Sequence, residues 1–189
     1  SGTSVAQDFV ELPSQIMEHW AVEPEVLKLY AKHYETREVI PDELITKIQN
    51  QGTFNQGFMT TELLAAALLD MELHNLTDTE NLNVVAFEKE TMDKLGLIPE
   101  IAPRYRATYF SHIIGGYAAG YYSYLWAEVL DTDAFEAFKE HGVFDKNTAD
   151  SFRKNILEKG GTEDPMTLYR GFRGADPSLE PLLKNRGLK

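Results

Sequence analysis

No cysteine occurs among the 189 residues, which excludes disulfides, thiolate nucleophiles and zinc–thiolate centres together. The absence fits a reducing compartment; the cytoplasm is the expected location, with the periplasm left open. Basic residues are also scarce, 18 Lys and Arg against 30 Asp and Glu, for a net charge of −12. That balance argues against nucleic acid and against anionic membrane surfaces, both of which call for clustered cations. No signal peptide is recognisable, and the longest apolar run, Leu63 to Leu69, is far too short to span a bilayer. Alternating hydrophobicity never persists long enough to mark a strand.

What is present is helical. Pro24-Glu25-Val26 and Pro41-Asp42-Glu43 each pair a first-turn proline with an acidic neighbour, a helix-start signature. Thr60-Thr61-Glu62 leads into a run apolar on nearly every side, which predicts a buried helix. Val84 to Leu95 is amphipathic and ends at Gly96, and Pro99 and Pro103 mark a connecting loop. A long aromatic-rich helix is predicted over 117–138, followed by short helices punctuated by glycines. Without a repeat or a linker, the expectation is a single all-α unit over 1–189.

Two segments carry chemistry. In Asp8-Phe9-Val10-Glu11-Leu12-Pro13-Ser14-Gln15, a helix would turn Glu11, Gln15 and Glu18 to one side, where a carboxylate can bind a metal. Spacing alone favours a solvated acidic face there. In the stretch from His112 through Gly115-Gly116 to Trp126, Tyr117, Tyr121 and Tyr124 fall at i, i+4 and i+7. They form a phenol stripe, with His112 on a turn made adaptable by the glycines. Phenols and an imidazole on one surface can donate to an oxyanion, whereas spacing alone favours aromatic packing. Tyr122 and Trp126 lie on another face and are the better core candidates. The acidic residues between Asp131 and Glu140 read as a solvated face, and His19, His33, His74 and His141 read as ordinary helical histidines.

These residues resemble a known family. Ser1-Gly2-Thr3 followed by Asp8 to Gln15, and the His112 to Trp126 motif, resemble the thimet oligopeptidase, oligopeptidase A and peptidyl-dipeptidase family of zinc metallopeptidases. Phe54-Asn55-Gln56-Gly57-Phe58, Arg104 to Phe110, and Arg170 to Leu188 extend the likeness over the whole chain in order, closest to the peptidyl-dipeptidase branch. The resemblance implies that Glu11 is the third protein ligand of a catalytic Zn2+. It implies that His112, Gly115, Gly116, Tyr117 and Tyr121 hold an oligopeptide, and that Tyr124, with Tyr117 and His112, stabilises the transition state. One departure is large: no histidine begins the family's HExxH motif. The chain is therefore expected to be a C-terminal part, inactive alone, whose partner is the upstream HExxH-bearing part of the same enzyme. A noncatalytic peptide-binding module and a structural helical domain are the other classes, separated from the first by whether HExxH precedes the chain.

Overall fold

The computed structural model describes residues 2–189; Ser1, the first residue of the motif quoted above, lies outside them. The described residues form nine α-helices and no strand, with one isolated bridge between Lys32 and Val39. The fold is all-α, as expected. Among the described residues no helix is long and apolar enough to cross a membrane.

The helices are α1 (Leu12–Val22), α2 (Pro24–Tyr30), α3 (Asp42–Gly52), α4 (Gln56–His74), α5 (Val84–Lys94), α6 (Ser123–His141), α7 (Lys146–Phe152), α8 (Pro165–Arg173) and α9 (Glu180–Asn185). α2 opens on Pro24, which has no N–H to leave unpaired in a first turn. α3 carries Asp42 and Glu43 where the helix dipole favours negative charge. α5 is capped by Asn83, whose side chain accepts from the Ala86 amide at 3.1 Å, and it stops before Gly96 in the left-handed conformation (φ 66°).

The chain groups into two compact units, residues 2–54 with Trp126–Lys189, and Asn55–Leu125. In the first unit, Phe9, Leu12 and Ile16 pack with Leu130, Phe135, Phe138, Phe152, Ile156 and Leu168. The ring of Trp20 stands edge-on to Phe135 and Phe138, 4.6 Å from each, and its Nε1 donates to the Val143 carbonyl at 2.8 Å. Here α6 is buried over most of its middle, including Asp131 and Asp133, while Glu140 is exposed. Asp131 and Asp133 are only 1% and 5% exposed, so the solvated acidic face expected over 131–140 is corrected for these two and holds for the exposed Glu140. Asp131 accepts from Gln15 Nε2 at 2.9 Å and lies 2.6 Å from His19 Nε2. Asp133 accepts from the Tyr169 hydroxyl at 2.6 Å. Buried carboxylates survive because partners replace the lost water.

In the second unit, α4 has two buried faces. Ala66 and Ala67, with Leu63, pack against Phe110, Ile113 and Tyr121. Ala65 and Leu69 pack with Met92 of α5. Leu64 and Leu68 are exposed, so the helix is not buried all round as its composition suggested. Small alanines on the first face let the following aromatic segment come close.

Candidate active site

The tyrosine motif does not form the long helix predicted for it. Residues 115–122 are a series of turns, and α6 begins only at Ser123. Within them the Gly120 amide bonds the Tyr117 carbonyl at 2.9 Å, and the Ser123 amide bonds Gly120 at 3.0 Å. The four predicted side chains nevertheless converge. Tyr117 and Tyr124 stack with centroids 5.2 Å apart and planes 6° from parallel, and Tyr121 meets Tyr124 edge-on at 5.1 Å. The His112 ring lies 5.8 Å from Tyr117, 5.3 Å from Tyr121 and 6.0 Å from Tyr124. Edge-to-face and stacked geometries at these separations are favourable for aromatic pairs.

Exposure sorts their roles. Tyr121 is 3% exposed, its ring in the core. Tyr117 and Tyr124 are half-buried, and Ile114, Gly115 and Gly116 are open to solvent. Tyr122 and Trp126, the residues expected in the core, are 44% and 37% exposed. The turn rotates the 117–122 side chains away from helical register, so the expected assignment of inner and outer faces is corrected. Burial raises the Tyr121 phenol above its ordinary pKa, with Arg104 pulling the other way; at neutral pH it remains a hydrogen-bond donor. His112 Nδ1 is a buried nitrogen with no hydrogen-bond partner among the described residues. An orphaned buried donor or acceptor is costly, and a bound polar group would relieve it.

Neither Gly115 nor Gly116 adopts a left-handed backbone; that conformation falls to Ala119, with φ 53°. A residue with a β-carbon spends about 1–2 kcal/mol there. The compensation comes from a residue that periodicity did not reveal. Asp70 of α4 is fully buried, and its two carboxylate oxygens accept from the amides of Ala119 and Tyr121, each at 2.9 Å. A hydrogen bond to a charged group contributes about 1.5–3 kcal/mol, enough to offset the left-handed turn. Glu88 of α5, also buried, accepts from the Ala107 amide at 3.1 Å and from the Arg106 guanidinium. The sequence signal for both was an acidic residue on the apolar side of a helix.

Glu11 belongs to the first unit and stands immediately before α1, half-buried. The Ser14 hydroxyl reaches its carboxylate, and it lies 2.9 Å from the Glu11 carbonyl. Gln15 donates to Asp131, and Glu18 is exposed to solvent. Burial raises the Asp131 carboxyl above its ordinary value, opposed by the hydrogen bonds from His19 and Gln15. Next to this pair a cleft of about 590 Å³ is lined by His19, Glu23, Thr132, Glu136, Lys139 and Lys184, among others, and by none of the predicted site residues.

Among the described residues no group of three or more His, Asp or Glu side chains is arranged to hold a metal ion. A lone carboxylate such as that of Glu11 offers one oxygen donor, and among the described residues it is not joined by the further ligands that a zinc centre takes.

Comparison with known proteins covers the segments that hold both Glu11 and the tyrosine cluster. The family model described as Peptidase family M3 matches residues 1–188. A dipeptidyl carboxypeptidase of Escherichia coli (strain K12) is 47% identical over 195 residues, covering all of this chain and 28% of that protein. An oligopeptidase A of the same organism is 42% identical over 192 residues, again all of the chain and 28% of the relative. Saccharolysin of Saccharomyces cerevisiae is 33% identical, over 98% of the chain and 26% of its own length. The chain thus spans little more than a quarter of the curated relatives it matches. A match from one end of the sequence to the other, taking in every residue singled out above, means that this chain belongs to peptidase family M3.

Proposed function

We propose that this chain is the C-terminal part of the catalytic domain of a larger zinc peptidase, which hydrolyses oligopeptides and releases dipeptides from their free C-termini. The observation that carries the reading is the gathering of His112, Tyr117 and Tyr124 around one half-open face, backed by the buried Tyr121. The name dipeptidyl carboxypeptidase attached to a relative 47% identical supports the dipeptide-releasing mode.

Zinc, when bound, polarises the scissile carbonyl and lowers the pKa of water. Glu11 supplies one carboxylate ligand, held by Ser14, and the other ligands come from the HExxH-bearing part of the enzyme. Tyr124 donates its phenol proton to the oxygen on which charge develops during attack, and its stack on Tyr117 fixes the ring. His112 and Tyr117 bind the peptide backbone. Gly115 and Gly116 lie in open space, with only the Ser111 carbonyl as near as 4.0 Å to a β-carbon placed at Gly115. The Gly115 amide donates to the His112 carbonyl at 3.3 Å, and both glycines are exposed, so an extended substrate can lie against their backbone. This chain by itself hydrolyses no peptide, because it lacks the two histidines and the general base of HExxH.

The test is to incubate the full-length protein with an N-acylated tetrapeptide carrying either a free or an amidated C-terminus, and to identify products by mass spectrometry. Release of a dipeptide from the free form, abolished by a chelator and restored by zinc, is expected. Equal cleavage of the amidated form would overturn the dipeptide-releasing mode, and no cleavage of either by the zinc-loaded protein would overturn the peptidase reading.

A further inference from the structure

The tyrosine cluster is not held by its own segment. Residues 115–122 lack a helix's ladder of hydrogen bonds, and the left-handed turn at Ala119 sits in the middle of them. Both oxygens of Asp70 are directed at this stretch, Oδ1 to the Ala119 amide and Oδ2 to the Tyr121 amide, either side of Gly120. One turn along α4, His74 Nδ1 lies 2.9 Å from the Asp70 carbonyl and 2.9 Å from Asp70 Oδ1. Asp70 is fully buried, so water cannot substitute for either bond.

The consequence is geometric. A left-handed residue at 119 reverses the chain between Tyr117 and Tyr121, and that reversal returns the Tyr117 ring to stack on Tyr124. A right-handed Ala119 continues a helix instead, which carries Tyr117 away from that stack along the helix axis. The carboxylate and the left-handed turn therefore select one another. We propose that Asp70 is a positioning residue for the tyrosine cluster: its buried carboxylate holds the turn at Ala119 that aligns Tyr117 and Tyr124. It touches no reacting group. Its effect on catalysis rests on the function proposed above; its effect on the loop does not.

Asp70→Asn in the full-length protein keeps the volume but leaves one oxygen to serve two amides, and turns a donor toward the other. Amide hydrogen exchange at 117–121 should accelerate by about tenfold or more, while the amides of α5 keep their protection. Turnover should fall by a comparable factor, and KM should rise by less, through the displaced Tyr117 alone, since His112 and the substrate-binding glycines lie outside the turn. Ala119→Gly, which makes the left-handed turn inexpensive, should weaken the Asp70→Asn effect in the double variant. Ala119→Val approaches from the other side: a β-branched residue resists the turn with Asp70 intact, so the same local exchange increase is expected even where Asp70→Asn fails to fold.

Exchange at 117–121 unchanged in Asp70→Asn, or raised equally throughout α4 and α5, would show a plain core carboxylate and overturn the proposal. So would an Ala119→Val variant whose loop stays protected. If the loop loosens while turnover is unaffected, and Tyr124→Phe is equally silent, the clamp stands and the catalytic reading of the tyrosines falls. If Tyr124→Phe disables the enzyme while Asp70→Asn leaves the loop protected, the catalytic reading stands and the clamp falls.

Discussion

Tyr124→Phe in the full-length enzyme isolates one hydroxyl. The Tyr124 ring stacks on Tyr117 at 5.2 Å and 6° and receives the edge of Tyr121 at 5.1 Å. Phenylalanine keeps both contacts, so the roughly 0.5–1.5 kcal/mol that such a ring pair contributes is retained. The position is half-buried, and the lost hydroxyl should change stability by no more than about 1 kcal/mol. Turnover is a different matter. A donor that acts on the developing oxyanion is worth about 2.7–4 kcal/mol of barrier, on the order of 10²- to 10³-fold in kcat. KM should move little, because the bond strengthens in the transition state. Steady-state kinetics on an oligopeptide and a thermal melt read the two effects separately. Tyr121→Phe is the internal comparison: that ring is 3% exposed and its hydroxyl faces Arg104, so its cost should appear in stability before turnover. If Tyr124→Phe retains kcat within about threefold of the parent, the hydroxyl is not an oxyanion donor and the assignment is wrong.

Three further outcomes follow from particular contacts. A β-carbon at Gly161 would sit 2.1 Å from the Ser4 carbonyl oxygen; Gly161→Ala should lower the unfolding midpoint by an amount worth about 1–3 kcal/mol in a denaturant titration, and an unchanged midpoint would mean the backbone yields freely there. Asp145 caps α7 by accepting from the Thr148 amide at 2.7 Å, and this bond holds its carboxyl below the ordinary 3.8. A depressed folded pKa stabilises above the ordinary value and is lost as pH falls through the folded one, so Asp145→Ala should be less stable than the parent at pH 7 and converge with it in acid; a gap that persists in acid would refute the linkage. Glu11→Ala in the full-length protein should remove most of the zinc and nearly all activity with circular dichroism unchanged, since a half-buried carboxylate leaves no core cavity; full zinc content by metal analysis would assign the ligand elsewhere.

Local chemistry was readable in the sequence. Pro24, the acidic pair Asp42-Glu43 and the Gly96 stop after Val84 to Leu95 act within a turn or two of chain, and each starts or stops a helix where expected. The family was also legible, because its motifs are specific runs of residues in a fixed order. What the sequence could not decide depends on partners far along the chain. The i, i+4, i+7 spacing of the tyrosines suggested a helix, yet the cluster forms through a turn, held by a carboxylate 49 residues from Ala119 and 51 from Tyr121. Asp131 reads as a surface residue until Gln15 and His19, 116 and 112 residues away, come to meet it. Tyr121 and Tyr122 are neighbours of the same type, one in the core and the other exposed. Periodicity describes one element at a time, whereas burying a charge or choosing between adjacent phenols requires a partner from another element, and only tertiary packing brings that partner.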